Sequence, residues 1–282
     1  MKTVDLHVHS VCSDGTLTPT QLVAEAQRIG LTAFALTDHD TVAGVDEALA
    51  AGKEAGIEVI PGIEISTSYK DKEVHIVGLF LDHKNPEFLA AIGNELTRRA
   101  ERNEKMARAF CDYGFPVSVK ELEDRYPGAV ITRAHFASFM LEKGYVKSRD
   151  EAFAKYLGDG MPLYVPRERK SVPEALAAIR LAGGVSVLAH PLLYHLTSHE
   201  LKELCLLGRE HGLCGIETMY STYKGFDELT VRSLAHEVGL LESGGSDFHG
   251  NNKPHIRLGT GMGNLAISYS YLEALRDCKP DN

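Results

Sequence analysis

Short apolar runs alternate with helical segments through most of this chain. Runs typical of buried strands lie at residues 3–9, 32–37, 57–65, 74–81, 185–189, 215–219 and 240–243. Apolar strands that alternate with helices favour a parallel sheet covered on both faces. About seven strands with polar side chains at their carboxyl ends favour closure into a barrel over an open sheet. The sequence therefore predicts an α/β barrel.

The alternation stops in the middle of the chain. From about residue 86 to residue 169 we find helical segments, at 86–113 and 132–143, and no run typical of a buried strand. We therefore expect two domains: a barrel formed by residues 1–85 and 170–282, and an inserted helical subdomain at 86–169 that binds the substrate.

Composition and charge narrow the class of protein. Hydrophobic residues make up 44% and charged residues 24% of the chain, and the net charge is −9. An acidic surface disfavours a protein that coats long nucleic acids, although bound cations can reverse the local field. Five scattered cysteines are typical of reduced thiols. No apolar run is as long as a membrane-spanning helix requires. The sequence enters a predicted strand within its first residues, which leaves no room for a leader peptide. We expect a cytoplasmic protein with no leader, no membrane segment and no obligate protein partner.

Histidine and carboxylate side chains follow the predicted strands. His7 and His9 are alternate residues, so on a strand they point to the same side and can face one cation. Glu64 stands between two isoleucines, where a carboxylate is costly unless a cation compensates it. Singly, such residues are more often core histidines or helix caps, and Asp40 either binds metal or caps the next helix. As a set they predict a multinuclear metal site, with the candidates His7, His9, Asp14, His39, Glu64, His75, His190, Asp247 and His249.

These motifs give the chain a family resemblance. It resembles the PHP (polymerase and histidinol phosphatase) superfamily of metal-dependent phosphoesterases over nearly its whole length, through DLHVHS at 5–10, SDG at 13–15, TDHD at 37–40, PGIEIS at 61–66, His75, AHP at 189–191 and SDFH at 246–249. The resemblance implies a distorted (β/α)₇ barrel that binds two or three divalent ions. A ligand set of imidazoles and carboxylates without thiolate favours Mn²⁺, Fe²⁺ or Zn²⁺, and we expect Mn²⁺.

The same resemblance assigns roles to the ligands. It implies that Glu64 bridges two ions, with His7, His9 and Asp247 completing one site and His75 and His190 the second, while Asp14, His39 and His249 hold a third. A metal-activated hydroxide, held by Glu64, Asp247, His190 and His249, would hydrolyse a phosphate monoester. Which residue protonates the leaving group stays open.

The helical insertion carries the candidate substrate-binding residues. Arg99, Arg102 and Asn103 share one helix face at i, i+3 and i+4, and Arg133 and His135 open another helix, whose positive dipole end favours phosphate. Charged helix residues are more often a solvated face. The chain is similar to 3′,5′-nucleoside bisphosphate phosphatases, which convert pAp to AMP and phosphate, although that subgroup has Arg-Pro-His where residues 133–135 are Arg-Ala-His.

Several other functions compete with this one. A 5′→3′ exoribonuclease on short oligonucleotides would use the same site, and histidinol-phosphate phosphatase is a further enzymatic alternative. A non-catalytic metal-binding module is disfavoured by the complete ligand set. A deaminase or amidohydrolase shares the His-x-His opening, but the carboxylate-rich strand ends and the basic insertion fit phosphate better. We expect a small phosphorylated nucleotide as the partner, with short RNA as the alternative.

Overall fold

The chain divides into two compact units. The structure is a computed structural model that describes residues 2–166 and 168–279. Unit 1 comprises Met1–Ile92 and Lys170–Asn282, and unit 2 comprises Gly93–Arg169. The division falls inside one helix, Pro86–Asp112, and not at residue 86. Phe88 and Ile92, in the first two turns of that helix, are buried in a core of unit 1, which explains the later boundary.

Unit 1 is built on one mixed sheet of nine strands. They are β1 Thr3–Val8, β2 Ala33–Leu36, β3 Glu58–Tyr69, β4 Lys72–Leu79, β5 Lys170–Ser171, β6 Val185–Leu188, β7 Gly215–Tyr220, β8 Leu241–Gly245 and β9 Ile267–Ser268. Their order is β8-β7-β6-β4-β3-β2-β1-β9, and β5 pairs with β3. The helices are α1 Pro19–Ile29, α2 Val45–Ala55, α3 Pro86–Asp112, α4 Val119–Arg125, α5 Arg133–Glu142, α6 Arg149–Ala152, α7 Val172–Leu181, α8 Ser198–Glu210, α9 Asp227–Val238 and α10 Tyr269–Asp277, of which α4, α5, α6 and most of α3 form unit 2.

The sheet nearly closes into a barrel because its first and eighth strands meet. Val8 forms a parallel bridge with Phe248, and the Asp247 N–H donates to the His7 carbonyl oxygen at 2.9 Å. Gly245 permits this approach, since a Cβ atom there would lie 2.2 Å from the Cβ of His7. The predicted α/β barrel is thus confirmed, with β1 and the segment after β8 side by side.

The prediction of a parallel sheet is wrong for two strands. β4 runs antiparallel to both β3 and β6, and β9 runs antiparallel to β1. The reason is the short connection between β3 and β4, where Lys70 and Asp71 both have positive φ, 45° and 62°. A two-residue turn can join only antiparallel strands, since a parallel pair needs a long crossover.

Local signals set the helix ends. Thr18 forms a capping box with Gln21 at the start of α1, and Gly30 ends that helix in the left-handed conformation. Of the two alternatives for Asp40, the helix cap is wrong: α2 begins after Gly44, which makes no side-chain cap. No helix within the described residues is both long and apolar enough to cross a membrane.

Unit 2 has an apolar core of its own. Phe110, Phe136, Phe139 and Met140 are fully buried in it, together with residues of α4 and the π-helical turn Phe153–Leu157. The sequence predicted the two longer helices of this unit and missed the shorter α4 and α6. The final strand and helix of unit 1, β9 and α10, were also missed. These elements span few residues, so their periodicity is too short to recognise.

Two helical glycines give a matched test of packing in this fold. A Cβ on Gly52 of α2 would lie 2.6 Å from Val59 Cγ2 and 2.8 Å from the Ile57 carbonyl oxygen, whereas one on Gly93 of α3 would meet no described atom within 4 Å. We expect Gly52→Ala to lower the free energy of unfolding by about 1–2 kcal/mol through overpacking. Gly93→Ala should raise it by about 0.5–1 kcal/mol because alanine favours helix. Denaturant unfolding of both variants checks this, and equal changes would contradict the packing of α2 on β3.

Candidate metal centre

All nine candidate ligands lie at one end of the barrel. Their ligand atoms fall into four groups whose members lie within 4.8 Å of one another: His7 with Glu64 and His190; His7 with His9 and Asp247; His39 with Glu64 and His75; and His9 with Asp14, His39 and His249. Not all of them end a strand, as the sequence suggested. Glu64 lies in the middle of β3, three residues past the last residue of β3 that pairs with β2, and His75 lies near the start of the antiparallel β4.

The His7 and His9 side chains face the same side of β1. Both imidazoles are fully buried, and their Nε2 atoms are 3.1 Å apart. The His9 Nε2 atom is also 3.4 Å from Oδ1 of Asp247, which follows β8. Ligands on one ion lie about 3.0–3.5 Å apart if each bond is about 2.1 Å. β1 and the segment after β8 therefore bring three ligand atoms together: two of the three distances have the spacing of one coordination sphere, and His7 Nε2 lies 3.8 Å from Asp247 Oδ1.

Glu64 occupies the centre of the cluster and divides its two oxygens between different imidazoles. Oε1 lies 2.8 Å from His75 Nδ1 and 2.9 Å from His190 Nε2. Oε2 lies 3.3 Å from Nε2 of both His7 and His9 and 3.0 Å from His39 Nδ1. A carboxylate shared in this way has the geometry required to bridge two cations.

The third carboxylate–imidazole group lies around Asp14. The Oδ1 atom of Asp14 is 3.2 Å from His249 Nε2 and 3.9 Å from His9 Nδ1, and its Oδ2 is 3.9 Å from His39 Nε2. Asp40 stands outside the four groups, and its Oδ1 accepts the Ser66 N–H at 2.9 Å. The structure thus brings the nine ligand candidates together and gives Asp40 a backbone contact.

The cluster fits a metal better than a network of hydrogen bonds. Glu64 Oε2 and His39 Nδ1 are both buried and, although 3.0 Å apart, make no hydrogen bond. Buried polar atoms are almost always hydrogen-bonded, so exceptions that converge on one point need another partner. Oxygen and nitrogen donors without sulfur suit Mn²⁺, Fe²⁺ or Zn²⁺.

The electrostatics also favour bound cations. Burial alone would raise the pKa of Glu64, yet the fields of His7, His75 and His39 hold that pKa well below its usual value. Burial would lower the pKa of His9, but the neighbouring carboxylates of Asp247 and Glu64 raise it to about 9. By contrast, burial lowers the pKa of His39 to about 3. The buried carboxylates are ionised and require positive charge, which protons on imidazoles or divalent ions can supply.

One supporting residue escaped the sequence analysis. Glu217, on β7, is buried, and its Oε1 is 2.8 Å from His7 Nδ1 while its Oε2 accepts the His190 N–H at 2.6 Å. Hydrogen bonding of the second imidazole nitrogen fixes the tautomer of a ligand histidine. The signal was present, because Glu217 interrupts an apolar strand in the same way as Glu64.

Other carboxylates of the motifs have structural roles. Asp5 accepts N–H and O–H of Ser246 and the N–H of Gly259, and so ties β1 to the segment after β8. Asp38 accepts from Ser10 and Ser13 and thus holds the loop after β1, not an imidazole. These two aspartates fix the loops that carry Asp14 and Asp247.

The five candidate substrate-binding residues all belong to unit 2. Arg99, Arg102 and Asn103 are buried, not solvated, and Asn103 Nδ2 donates to the Ile131 carbonyl at 2.9 Å. His135 Nδ1 accepts the Thr132 N–H at the start of α5.

Arg133 is the more accessible of the candidate arginines. Its side chain is one-fifth exposed and lies 3.3 Å from Asp159 Oδ1. Its guanidinium also stands over the Tyr164 ring, 5.4 Å from the centroid. Two of the three candidate arginines, Arg99 and Arg102, are therefore buried, and Arg133 is partly exposed.

Comparison with known proteins places the chain in a family. The model of the PHP domain matches residues 5–156. A 5′-3′ exoribonuclease from Haemophilus influenzae is 38% identical over 248 residues, 88% of this chain and 90% of that protein. A 3′,5′-nucleoside bisphosphate phosphatase from Chromobacterium violaceum is 35% identical over 257 residues, 88% of each. The solved structure of a candidate metal-dependent phosphoesterase from Bifidobacterium adolescentis superposes with a TM-score of 0.88 at 30% identity, covering 99% of this chain and 97% of that one. The chain belongs to the PHP domain family.

Glu217 offers a test of the arrangement around His7. We expect Glu217→Gln to keep the fold but to weaken metal affinity about 10- to 100-fold, because the amide cannot accept as strongly from the imidazole. Metal content after dialysis against a series of Mn²⁺ concentrations measures this. Glu210→Gln, on the exposed end of α8, is the matched control. Wild-type affinity in Glu217→Gln would contradict a supporting role.

Proposed function

We propose that this protein is a metal-dependent phosphatase that removes the 3′-phosphate of nucleoside 3′,5′-bisphosphates, converting pAp to AMP and phosphate. The observation that carries the proposal is the central Glu64 carboxylate, with each oxygen facing a different set of imidazoles. Divalent ions held there would activate water and neutralise the charge of the phosphoryl oxygens. Phosphoester hydrolysis is also the chemistry that the names of the relatives share.

The residues of unit 1 would divide the work of holding these ions. His7, His9 and Asp247 would complete one site on Glu64, and His75 and His190 would complete another. Asp14, His39 and His249 would hold a third ion. The same carboxylates orient the attacking water, and their low pKa values keep them in the ionised form that this task needs.

Unit 2 supports a substrate with a second phosphate. Arg99 and Arg102 share a helix face and are both buried. Guanidinium groups bind a phosphate dianion through paired hydrogen bonds. We therefore assign Arg99, Arg102, Asn103, Arg133 and His135 to binding the phosphate that is not cleaved. A net charge of −9 suits a small substrate better than a long polymer.

A second candidate is a 5′→3′ exoribonuclease acting on short oligonucleotides. It is favoured by the Haemophilus influenzae relative, which carries that name and aligns over 88% of this chain. The same metal centre and the same basic residues would serve both reactions, since a terminal nucleotide also presents two phosphates.

Phosphate release across a substrate panel tests the function. We expect rapid, metal-dependent release from pAp, slower release from AMP and histidinol phosphate, and no shortening of a 5′-phosphorylated RNA at comparable rates. Chelation should abolish turnover and added Mn²⁺ should restore it. Faster cleavage of the RNA would favour the exoribonuclease, and turnover that survives chelation would exclude the metal mechanism.

Arg133→Ala tests the role of unit 2. We expect KM for pAp to rise about 10- to 100-fold, the worth of one or two hydrogen bonds to a charged group, while KM for 4-nitrophenyl phosphate stays unchanged. Arg108→Ala, an exposed arginine of α3, is the control. Equal effects of Arg133→Ala on both substrates would remove Arg133 from recognition of the second phosphate.

A further inference from the structure

Lys253 contacts the metal centre but belongs to none of the sequence motifs. Its Nζ atom donates to Oδ2 of Asp247 at 2.6 Å, and its side chain is one-third exposed. The other oxygen of Asp247 faces His9 and His249, at 3.4 Å and 3.3 Å. Only the Asp247 carboxylate therefore separates the Lys253 ammonium group from the converging ligand atoms. The ammonium group lies on the solvent-exposed side of that carboxylate.

The loop that carries Lys253 is fixed in place. Asn252 Nδ2 donates to the Asp14 carbonyl at 2.7 Å, and the Asn251 N–H donates to Thr16 Oγ1 at 2.9 Å. Pro254 follows Lys253, and a residue before proline is held out of the helical conformation, so the 3₁₀ turn Gly250–Asn252 ends there. The two residues before Lys253 are thus tied to the segment that carries Asp14.

The Oδ2 atom of Asp247 has a hydrogen-bond donor besides Lys253. The hydroxyl of Tyr220 already donates to the same Oδ2 atom at 2.6 Å. A partly exposed ion pair contributes little to stability, and holding a lysine in one conformation costs side-chain entropy. An ammonium group has three donors, and Asp247 uses one of them. The remaining donors are available to an anion at the mouth of the site.

We propose that Lys253 binds a phosphoryl oxygen of the substrate, held in position by Asp247. This inference rests on the proposed phosphoester hydrolysis. A lysine binds phosphate as a compact point charge, and a charge already oriented by a buried carboxylate loses no further freedom when the phosphate arrives. The contact adds a cation from the chain itself to those supplied by the metals. Lys253 is therefore a catalytic residue in the sense that it touches the group being transferred.

Binding of inorganic phosphate tests this directly. The Mn²⁺-loaded wild type, Lys253→Met, Lys253→Gln and Lys253→Arg are titrated with inorganic phosphate in a calorimeter, and metal content is measured on the same samples. We expect both neutral variants to keep their metal and to bind phosphate about tenfold or more weakly, the worth of one charge-assisted hydrogen bond. Lys253→Arg should recover most of the affinity. Lys53→Met, on the exposed end of α2, is the matched control.

Two outcomes would overturn the role of Lys253 and leave the proposed function untouched. Wild-type phosphate affinity in Lys253→Met and Lys253→Gln would show that the ammonium does not touch phosphate. Loss of metal in proportion to the loss of phosphate binding would show that Lys253 acts only by holding Asp247. Turnover of pAp by the wild type distinguishes these two outcomes from a failure of the proposed function. A wild type that neither binds phosphate nor hydrolyses pAp would overturn the proposed function and the role of Lys253 together.

Discussion

The arrangement of the candidate ligands at one end of this barrel depends on one buried carboxylate, that of Glu64. Glu64 is fully buried, and a lone charge in that position would cost several kcal/mol. It is retained because imidazoles from four other segments surround it, with His75 and His190 on one oxygen and His7, His9 and His39 on the other. Those histidines come from β1, the loop after β2, the interior of β4 and the residues after β6, and these segments must all meet at this point. The buried Glu64 carboxylate is therefore stable only where these segments meet, and the segments can meet there only because Glu64 pairs with their histidines.

The closure of the barrel follows from the same requirement. His7 and Asp247 lie 240 residues apart in sequence, yet the Asp247 N–H donates to the His7 carbonyl. This contact exists because Gly245 lets the end of β8 approach β1, and Asp5 fastens the segment after it. Glu217, on β7, then contacts His7 of β1 through one oxygen and accepts the His190 N–H, after β6, through the other. The ligands are positioned by contacts among strands and not by any one loop.

Sequence reasoning recovered the parts of this site that have a local signal. The alternation of His7 and His9 predicted that both face one cation, and the apolar neighbours of Glu64 predicted that it needs one. Glu217 carried the same signal but was missed, because it lies outside the motifs on which the family resemblance rests. Lys253 had no signal, since its position depends on a loop tied to distant segments. The antiparallel β4 was missed because the helix–strand alternation outweighed the two-residue turn at Lys70 and Asp71.

The nine candidate ligands are consistent with phosphoester chemistry but do not determine the choice of substrate. Two relatives that align over most of this chain, at 38% and 35% identity, carry the names of different activities, an exoribonuclease and a bisphosphate phosphatase. A difference in activity between proteins of one family is made by the groups around a common centre, because the binding energy that distinguishes substrates comes from contacts outside the reacting atoms. In this chain we infer that those groups include the buried arginines of unit 2, which suit a second phosphate. Lys253 differs from them, since a contact with the transferred phosphoryl group would serve every ester that reaches the metals. Recognition and rate would then rest on separate basic residues, and each can be altered without the other.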